Sequence, residues 1–301
     1  LNKDPRARVV AAHGRHDLVL MPNGQLLNCV TRGRKGGIAC GDFVNATQTG
    51  DASGVIDSIA KRSTEFMRSD GLRTKVLAAN IDQVWGVVAG TPPFSDELVS
   101  RAAIEAERQS LPVTLILNKA DLKGPTDIAR QRLAPFAKLG YRIEEVSLKT
   151  EPERAKERLL PMLADRTTLL FGESGMGKSS LLNLLVPNAN ARTRDISLAL
   201  NSGRHTTTDA RLYNLTDQAG VMIDTPGFQE FGLNHLSAGQ IERAFAEMKP
   251  FLGQCRFYNC THLVEPGCAI REAVTKGEIS AARYQLFCDL TRQSMRSAHL
   301  P

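Results

Sequence analysis

The sequence predicts an α/β protein carrying a smaller module at each end. Three observations carry that reading: alternating strand-like and helix-like segments through the middle, five short β-like runs ahead of them, and a Cys/His cluster behind. The expected divisions are residues 1–64, 65–235 and 236–301. A chain of 301 residues has room for two or three domains. It is 42% hydrophobic and 23% charged, the balance of a folded globular protein. Apolar runs such as Val113-Thr114-Leu115-Ile116-Leu117 fall far short of the ~18–20 residues needed to span a bilayer, so neither a membrane partner nor a signal peptide is expected. The net charge is +6, and residues 1–75 hold 12 Lys/Arg against 7 Asp/Glu, an imbalance suited to a polyanionic partner. Six cysteines beside nucleotide-type motifs point to a reducing, cytoplasmic setting, where clustered Cys and His bind metal more often than they form disulfides.

The first segment offers Arg8-Val9-Val10-Ala11-Ala12, Asp17-Leu18-Val19-Leu20-Met21, Leu26-Leu27-Asn28-Cys29-Val30, Asp42-Phe43-Val44-Asn45-Ala46 and Gly54-Val55-Ile56-Asp57-Ser58-Ile59. Between the second and third runs, Pro22-Asn23-Gly24 signals a tight hairpin, because Asn-Gly tolerates φ > 0 at both turn positions. Five strands in so short a span suit a small closed barrel, of OB type by preference and SH3-like as the rival. The turn Arg32-Gly33-Arg34-Lys35-Gly36-Gly37 concentrates cations where such a barrel meets nucleic acid. Stacking aromatics are scarce here, so phosphate and shape contacts are expected rather than base readout.

In the middle segment, Val84-Trp85-Gly86-Val87-Val88-Ala89 reads as a buried strand, and Ser95 caps a helix ending near Ser110. The strand Val113–Leu117 runs into Asn118-Lys119-Ala120-Asp121, which fits N-K-x-D. The carboxylate of Asp121 can accept from guanine N1–H and the 2-amino group together, a donor pair that adenine lacks. Asn118 would hold the loop and Lys119 would lie over the ring. A helix from Thr126 to about Gly140, bent at Pro135, leads to the strand Arg142-Ile143-Glu144-Glu145-Val146. Ser147-Leu148-Lys149 then follows as a base-backing loop, with Leu148 where a small residue is usual. A helix from Pro152 to Asp165 and the strand Thr167–Phe171 come next.

That strand delivers Gly172-Glu173-Ser174-Gly175-Met176-Gly177-Lys178-Ser179, a match to G-x-x-x-x-G-K-S/T at every fixed position, with Ser180 opening the following helix. Glycines let successive N–H groups turn toward phosphate oxygens, Lys178 reaches the β- and γ-phosphates, and Ser179 ligates Mg²⁺. A polar stretch from Arg192 to Arg211, expected to be weakly structured, contains Gly203-Arg204-His205-Thr206-Thr207-Thr208. One of its three threonines, Thr207 by assignment, would ligate Mg²⁺ while the γ-phosphate is present. The strand Val221-Met222-Ile223 delivers Asp224-Thr225-Pro226-Gly227, fitting D-x-x-G, with Asp224 toward Mg²⁺ and the Gly227 N–H toward the γ-phosphate. Phe228 stands where Ras-like enzymes place a water-orienting glutamine, so slow intrinsic turnover is expected. His205 is the candidate replacement, with a phosphate- or RNA-facing role as its alternative. Cys255, Cys260, His262 and Cys268 then offer three thiolates and an imidazole, a closed tetrahedral set for structural Zn²⁺. Helices are expected on either side, at Ser237–Lys249 and Ile279–Met295, and Cys29, Cys40 and Cys288 are read as packed thiols.

The motif order is unusual: N-K-x-D and Ser147-Leu148-Lys149 precede the phosphate loop that they ordinarily follow. A circular permutation preserves their placement, because all lie at carboxyl ends of strands in one sheet. That order, the sequence Gly203-Arg204-His205-Thr206-Thr207-Thr208, the barrel in front and the Cys/His segment behind resemble the bacterial ribosome small subunit-dependent GTPase A (RsgA) family over essentially the whole chain. The resemblance implies GTP hydrolysis to GDP stimulated by the 30S subunit, action in late 30S maturation, and contact of the barrel with 16S rRNA. A monomer is expected. Two other classes stay open on residues alone: an RNA-binding scaffold with a vestigial nucleotide site, and an ATP-dependent enzyme.

Overall fold

In the computed structural model, residues 6–13, 16–32, 37–70, 73–186, 210–215, 220–225 and 231–297 are described. The five β-like runs of the first segment become β1 (Ala7–His13), β2 (His16–Leu20), β3 (Leu26–Thr31), β4 (Phe43–Gln48) and β5 (Ser53–Ile59). They pair in the order β1-β2-β3-β5-β4, with β3 and β5 parallel, and β4 returns to β1 at Ala7↔Val44 and Arg8↔Phe43. This closed barrel is the OB-type arrangement rather than the SH3-like one. The turn between β2 and β3 forms at Asn23-Gly24, where Gly24 has φ +86° and the Met21 N–H bonds the Gln25 carbonyl at 2.8 Å. Inward positions Val9, Val19, Leu27, Cys29, Val44 and Ile56 fill the barrel with their own small core. Of the cationic turn, residues 33–36 lie outside the described residues.

A hairpin the sequence reading did not anticipate follows, β6 (Glu65–Asp70) with β7 (Arg73–Ala79). Then come β8 (Gln83–Ala89), α1 (Asp96–Arg108), β9 (Val113–Asn118), α2 (Lys123–Lys138), β10 (Arg142–Glu145), α3 (Pro152–Leu159), β11 (Thr167–Phe171) and α4 (Lys178–Leu185). Ser95 caps α1 as expected, its side chain accepting from the Leu98 N–H. Helix α2 starts three residues earlier than expected and continues through Pro135. The expected helix to Asp165 gives way after Leu159 to a 3₁₀ turn, Leu160–Leu163. Of the stretch from Arg192 to Arg211 expected to be weakly structured, residues 192–209 lie outside the described residues, and its last residue opens β12 (Arg211–Asn214), a strand the sequence did not announce, which pairs antiparallel with β13 (Val221–Asp224).

Strands β10-β9-β8-β11-β13 are parallel and β12 closes the row, touching the barrel at Ala11↔Arg211. Strands β8, β9 and β11 are buried at every position, the continuous burial of a parallel sheet covered on both faces. The last segment holds α5 (Ala238–Ala244), a 3₁₀ turn (Ala246–Phe251), α6 (Ala269–Thr275) and α7 (Ala281–Ser297). Its Phe245 and Phe287 meet edge to face at 5.5 Å, and Arg283 makes a two-pronged ion pair with Glu247 at 2.6 and 3.1 Å. Phe245, Met248, Ile270 and Phe287 belong to the same hydrophobic core as the central sheet. The last segment is thus packed against the central sheet rather than around a separate core of its own. No helix among the described residues is long and apolar enough to cross a membrane.

Candidate functional site

The predicted nucleotide loops within the described residues gather at the carboxyl edge of the parallel sheet, where open α/β sheets collect ligand loops. Strand β9 delivers Asn118, β10 leads to Ser147, β11 to the glycine-rich loop, and β13 ends at Asp224. Between them lies a cleft of about 1130 Å³ lined by Asn118, Lys119, Asp121, Lys149, Glu173, Ser174, Gly175, Gly177, Lys178, Ser179, Ser180 and Asp224. Loops separated by tens of residues thus share one opening, large enough for a nucleotide.

Asn118 is the tie between its two ends. Its Nδ2 donates to the Met176 carbonyl at 2.9 Å, and its Oδ1 accepts from the Leu148 N–H at 3.2 Å. One buried side chain therefore joins the phosphate end to the base end. At Gly177, φ is +99° and an added Cβ would lie 2.1 Å from Asn118 Nδ2, so both backbone angle and space require glycine. Lys119 has φ +63° and sends Nζ to the Thr91 carbonyl at 2.7 Å, while the Ala120 N–H bonds the Val146 carbonyl at 3.1 Å.

Asp121 accepts a short hydrogen bond from Ser147 Oγ, which in turn accepts from Thr150 Oγ1 at 2.6 Å. This chain of hydroxyls orients the carboxylate and leaves it further lone pairs with which to accept. Ser147, expected to back a base, thus holds Asp121. Thr150 was missed in the sequence, its only signal being a hydroxyl three positions after Ser147. Glu173 was read as a nucleotide contact, yet its carboxylate accepts the Ser95 N–H at 2.7 Å, leaving its backbone for that part.

Lys178 Nζ forms a short ion pair with Asp224. Burial raises the Asp224 carboxyl above the usual range, and the Lys178 charge and hydrogen bond pull it back down. Asp224 and Ser179 supply oxygen donors of the kind Mg²⁺ takes, in the same cleft as the lysine. Thr225 fixes the end of β13 by sending N–H and Oγ1 to the Leu170 carbonyl at 3.2 and 2.8 Å. His205, Thr207, Gly227 and Phe228 lie outside the described residues.

The Cys/His set also converges. Ligand atoms of Cys255, Cys260, His262 and Cys268 all lie within 4.8 Å of one another. The Cys255 and Cys268 sulfurs are 3.9 Å apart, and His262 Nδ1 is 3.4 Å from each. A tetrahedral zinc with ~2.3 Å bonds would set its sulfurs ~3.8 Å apart, so the donor set and its spacing fit a structural Zn²⁺ site. The other ring nitrogen of His262 faces Glu242 Oε1 at 3.3 Å, a carboxylate placed to orient the ligand ring. No sequence spacing marks Glu242. The remaining cysteines, 29, 40 and 288, are free and buried, as expected.

A doubly flanked α/β sheet whose guanine-type loops precede its phosphate loop defines a circularly permuted GTPase of the phosphate-loop class. A family model described as RsgA GTPase matches residues 59–234. A small ribosomal subunit biogenesis GTPase RsgA of Burkholderia pseudomallei (strain K96243) is 50% identical over 290 residues, 96% of this chain and 92% of that protein. One of Paraburkholderia xenovorans (strain LB400) is 50% identical over 291 residues, 95% and 92% of the two chains. Among solved structures, YjeQ from Thermotoga maritima superposes with TM-score 0.69 at 30% identity, over 97% of this chain and 98% of its own. YloQ, described as a circularly permuted GTPase, gives 0.68 at 25% identity, over 97% and 95%. The chain belongs to the RsgA GTPase family.

Proposed function

We propose that this chain hydrolyses GTP to GDP and phosphate in the cleft between Asp121 and Lys178, and that it does so on the small ribosomal subunit late in its maturation. The observation that supports this most is the double tie of Asn118 to Met176 and Leu148, which joins the glycine-rich loop to the loops that carry Asp121 and Ser147 around one opening. In this reading Asp121, held by Ser147, reads the base, with Asn118, Lys119, Ala120 and Lys149 around it. Backbone N–H groups of residues 172–180 cradle the phosphates, and Lys178 neutralises charge on the transferring group. Mg²⁺, when bound through Ser179, Asp224 and Thr207, supplies charge neutralisation at the β- and γ-phosphates. Gly227 bonds the γ-phosphate and His205 orients the attacking water.

The relatives named for small-subunit biogenesis supply the ribosomal half of the proposal. The barrel of residues 1–64 and the zinc segment of residues 236–301 act as grips on 16S rRNA on either side of the GTPase domain, 65–235. The protein works as a cytoplasmic monomer. GTP turnover measured with and without purified small subunits tests the reading, with stimulation of roughly 10³-fold or more expected. Unchanged turnover would remove the ribosome from the mechanism, and no turnover under either condition would remove hydrolysis. His205→Ala should keep GTP binding and lose the stimulation.

A further inference from the structure

The Cys/His turn of the last segment presents two aromatic side chains to solvent. Between Cys255 and Cys260 the chain reads Arg256-Phe257-Tyr258-Asn259. The Cys260 N–H bonds the Phe257 carbonyl at 3.2 Å, closing a four-residue turn with Tyr258 and Asn259 at its corners. Tyr258 is fully exposed and Phe257 is 42% exposed, while the Arg256 guanidinium lies 5.5 Å from the centre of the Phe257 ring. A tyrosine so placed adds nothing to the core, and the turn holds its shape by other means.

Those means are backbone ties and one carboxylate. The Arg256 N–H bonds the Gly267 carbonyl at 2.9 Å, and an added Cβ at Gly267 would lie 2.9 Å from the Arg256 Cβ, so the two strands of the turn touch. Glu265 accepts from the Thr261 N–H and hydroxyl at 2.8 and 2.6 Å and from the Leu263 and Val264 N–H groups at 3.2 and 3.1 Å. Arg271 of α6 donates to the Val264 and Glu265 carbonyls at 3.0 and 3.1 Å. A side chain at the corner of so fixed a turn meets an outside partner with little further loss of backbone freedom.

Charge and size say what that partner is. Residues 248–264 hold Lys249 and Arg256 and no Asp or Glu, and the Glu265 carboxylate that follows is taken up by four donors. Lys249 turns to Glu107 at 3.1 Å, which leaves the Arg256 guanidinium beside the rings as the cation of the stretch. Flat π faces next to a guanidinium suit a nucleobase and its phosphate. Two rings and one guanidinium cover far less than the ~800 Å² that each partner gives to a standard protein interface. Bases inside a duplex are already stacked, so the bases that fit are unpaired ones. The barrel cannot supply this contact: Phe43 is the single Phe, Tyr or Trp of residues 1–64, and the guanidinium groups of Arg6 and Arg8 already lie 5.3 and 4.9 Å from its ring centre.

We propose that the Arg256-Phe257-Tyr258 corner is a stacking platform for unpaired RNA bases, with Tyr258 and Phe257 as the π faces and Arg256 on the adjoining phosphate. This rests on the reading above that the last segment grips rRNA, and it names the part of the RNA that is gripped. The two ends of the chain then divide the task, phosphate and shape contacts falling to the barrel and base faces to this turn.

The test uses the full-length, zinc-loaded chain with an unstructured RNA strand of about 12 nucleotides, the duplex of the same sequence, and purified small subunits. Binding is measured at about 0.2 M salt, where contacts to phosphate alone are weak. Expected are losses of roughly tenfold or more in single-strand affinity for Tyr258→Ala and Tyr258→Leu, near-parental affinity for Tyr258→Phe, and unchanged affinity for the duplex. Zinc content and unstimulated GTP turnover should stay at the parent's level in all three. Arg256→Ala should lower the slope of log affinity against log salt by about 0.7, the share of one phosphate on a single strand. Full binding by Tyr258→Leu would mean a plain apolar contact, such as a protein makes; equal losses for strand and duplex would mean a general distortion; no loss in any variant would mean no role. Each of these overturns the proposal, as does a parent chain that binds no single-stranded RNA, whether or not it holds small subunits. A parent that binds the single strand through Tyr258 yet holds no small subunit would instead overturn the ribosomal reading and leave the platform standing.

Discussion

Lys178 and Asp224 are ion-paired inside the nucleotide cleft, 46 positions apart in the chain, with side chains only 11% and 16% exposed. Each charge is held by the other in a place that water reaches poorly. Bound Mg²⁺ and phosphate offer better partners to both, since the ammonium can turn to phosphate oxygens and the carboxylate toward the metal shell. Asp224→Asn should therefore abolish most of the Mg²⁺ dependence of GTP affinity and lower kcat by roughly 10²–10³-fold. Without Mg²⁺, GDP binding should be unchanged or tighter, because Lys178 loses a competitor. Nucleotide titrations at zero and saturating Mg²⁺ decide this, and an undiminished Mg²⁺ effect would take Asp224 out of the metal site.

Base selection should separate Asp121 from the hydroxyl that holds it. Asp121→Asn replaces an acceptor of two guanine donors by a group that mismatches one of them, so GTP affinity should fall by at least ~10²-fold while xanthosine triphosphate binding improves. Ser147→Ala leaves the carboxylate in place and removes only its orienting donor, so a loss of about tenfold or less is expected, without a change of base preference. Competition binding with GTP, xanthosine triphosphate and ATP reads all three preferences at once.

Much of this was legible because phosphate and guanine binding need particular residue types at fixed spacing, as in Gly172–Ser179 and Asn118–Asp121. The barrel strands were legible from alternation between turn residues. The hairpin Glu65–Asp70 and Arg73–Ala79 was not: Arg68, Ser69, Arg73, Thr74 and Lys75 break any apolar alternation, and its place is set by contacts with Glu105 and Gly232. Strand β12 was hidden for a similar reason, being four residues long and recruited by β13. Glu242 and Thr150 could not be ranked from sequence because only the fold brings them to His262 and Ser147.

The barrel carries a pH signature. Burial pushes the Asp17 carboxyl up to about 6, against the hydrogen bond of Thr31 and the charge of His16, which pull it down. Because the folded value lies above the unfolded one, the folded state binds the extra proton between the two, and stability falls as pH rises from about 4 to about 6. Above that window the cost persists in full. Asp17→Asn should therefore stabilise the protein at pH 7 by about 1–2 kcal/mol and have little effect near pH 4. Denaturant unfolding at the two pH values checks the sign.

Metal removal should act locally rather than unfold the whole chain. The helices around the Cys/His set share a core with the GTPase sheet, and Arg283–Glu247 together with Phe245–Phe287 hold them without a metal ligand. Across residues 255–268 the metal-independent ties are hydrogen bonds, such as Arg256 N–H to the Gly267 carbonyl at 2.9 Å and the Tyr284 hydroxyl to the His262 carbonyl at 2.7 Å, so the turn leans more on its four zinc ligands than the helices do. Chelation should raise amide exchange in that stretch by roughly 10²-fold or more while α7 and GDP affinity change little. Glu242→Gln, which weakens the grip on the His262 ring, should lower zinc affinity by about 10–100-fold in chelator competition. If the metal acts through this turn on the ribosome, the chelated protein should keep its unstimulated GTP turnover and lose the part that added small subunits provide. Equal loss of both would tie the zinc to the nucleotide domain instead.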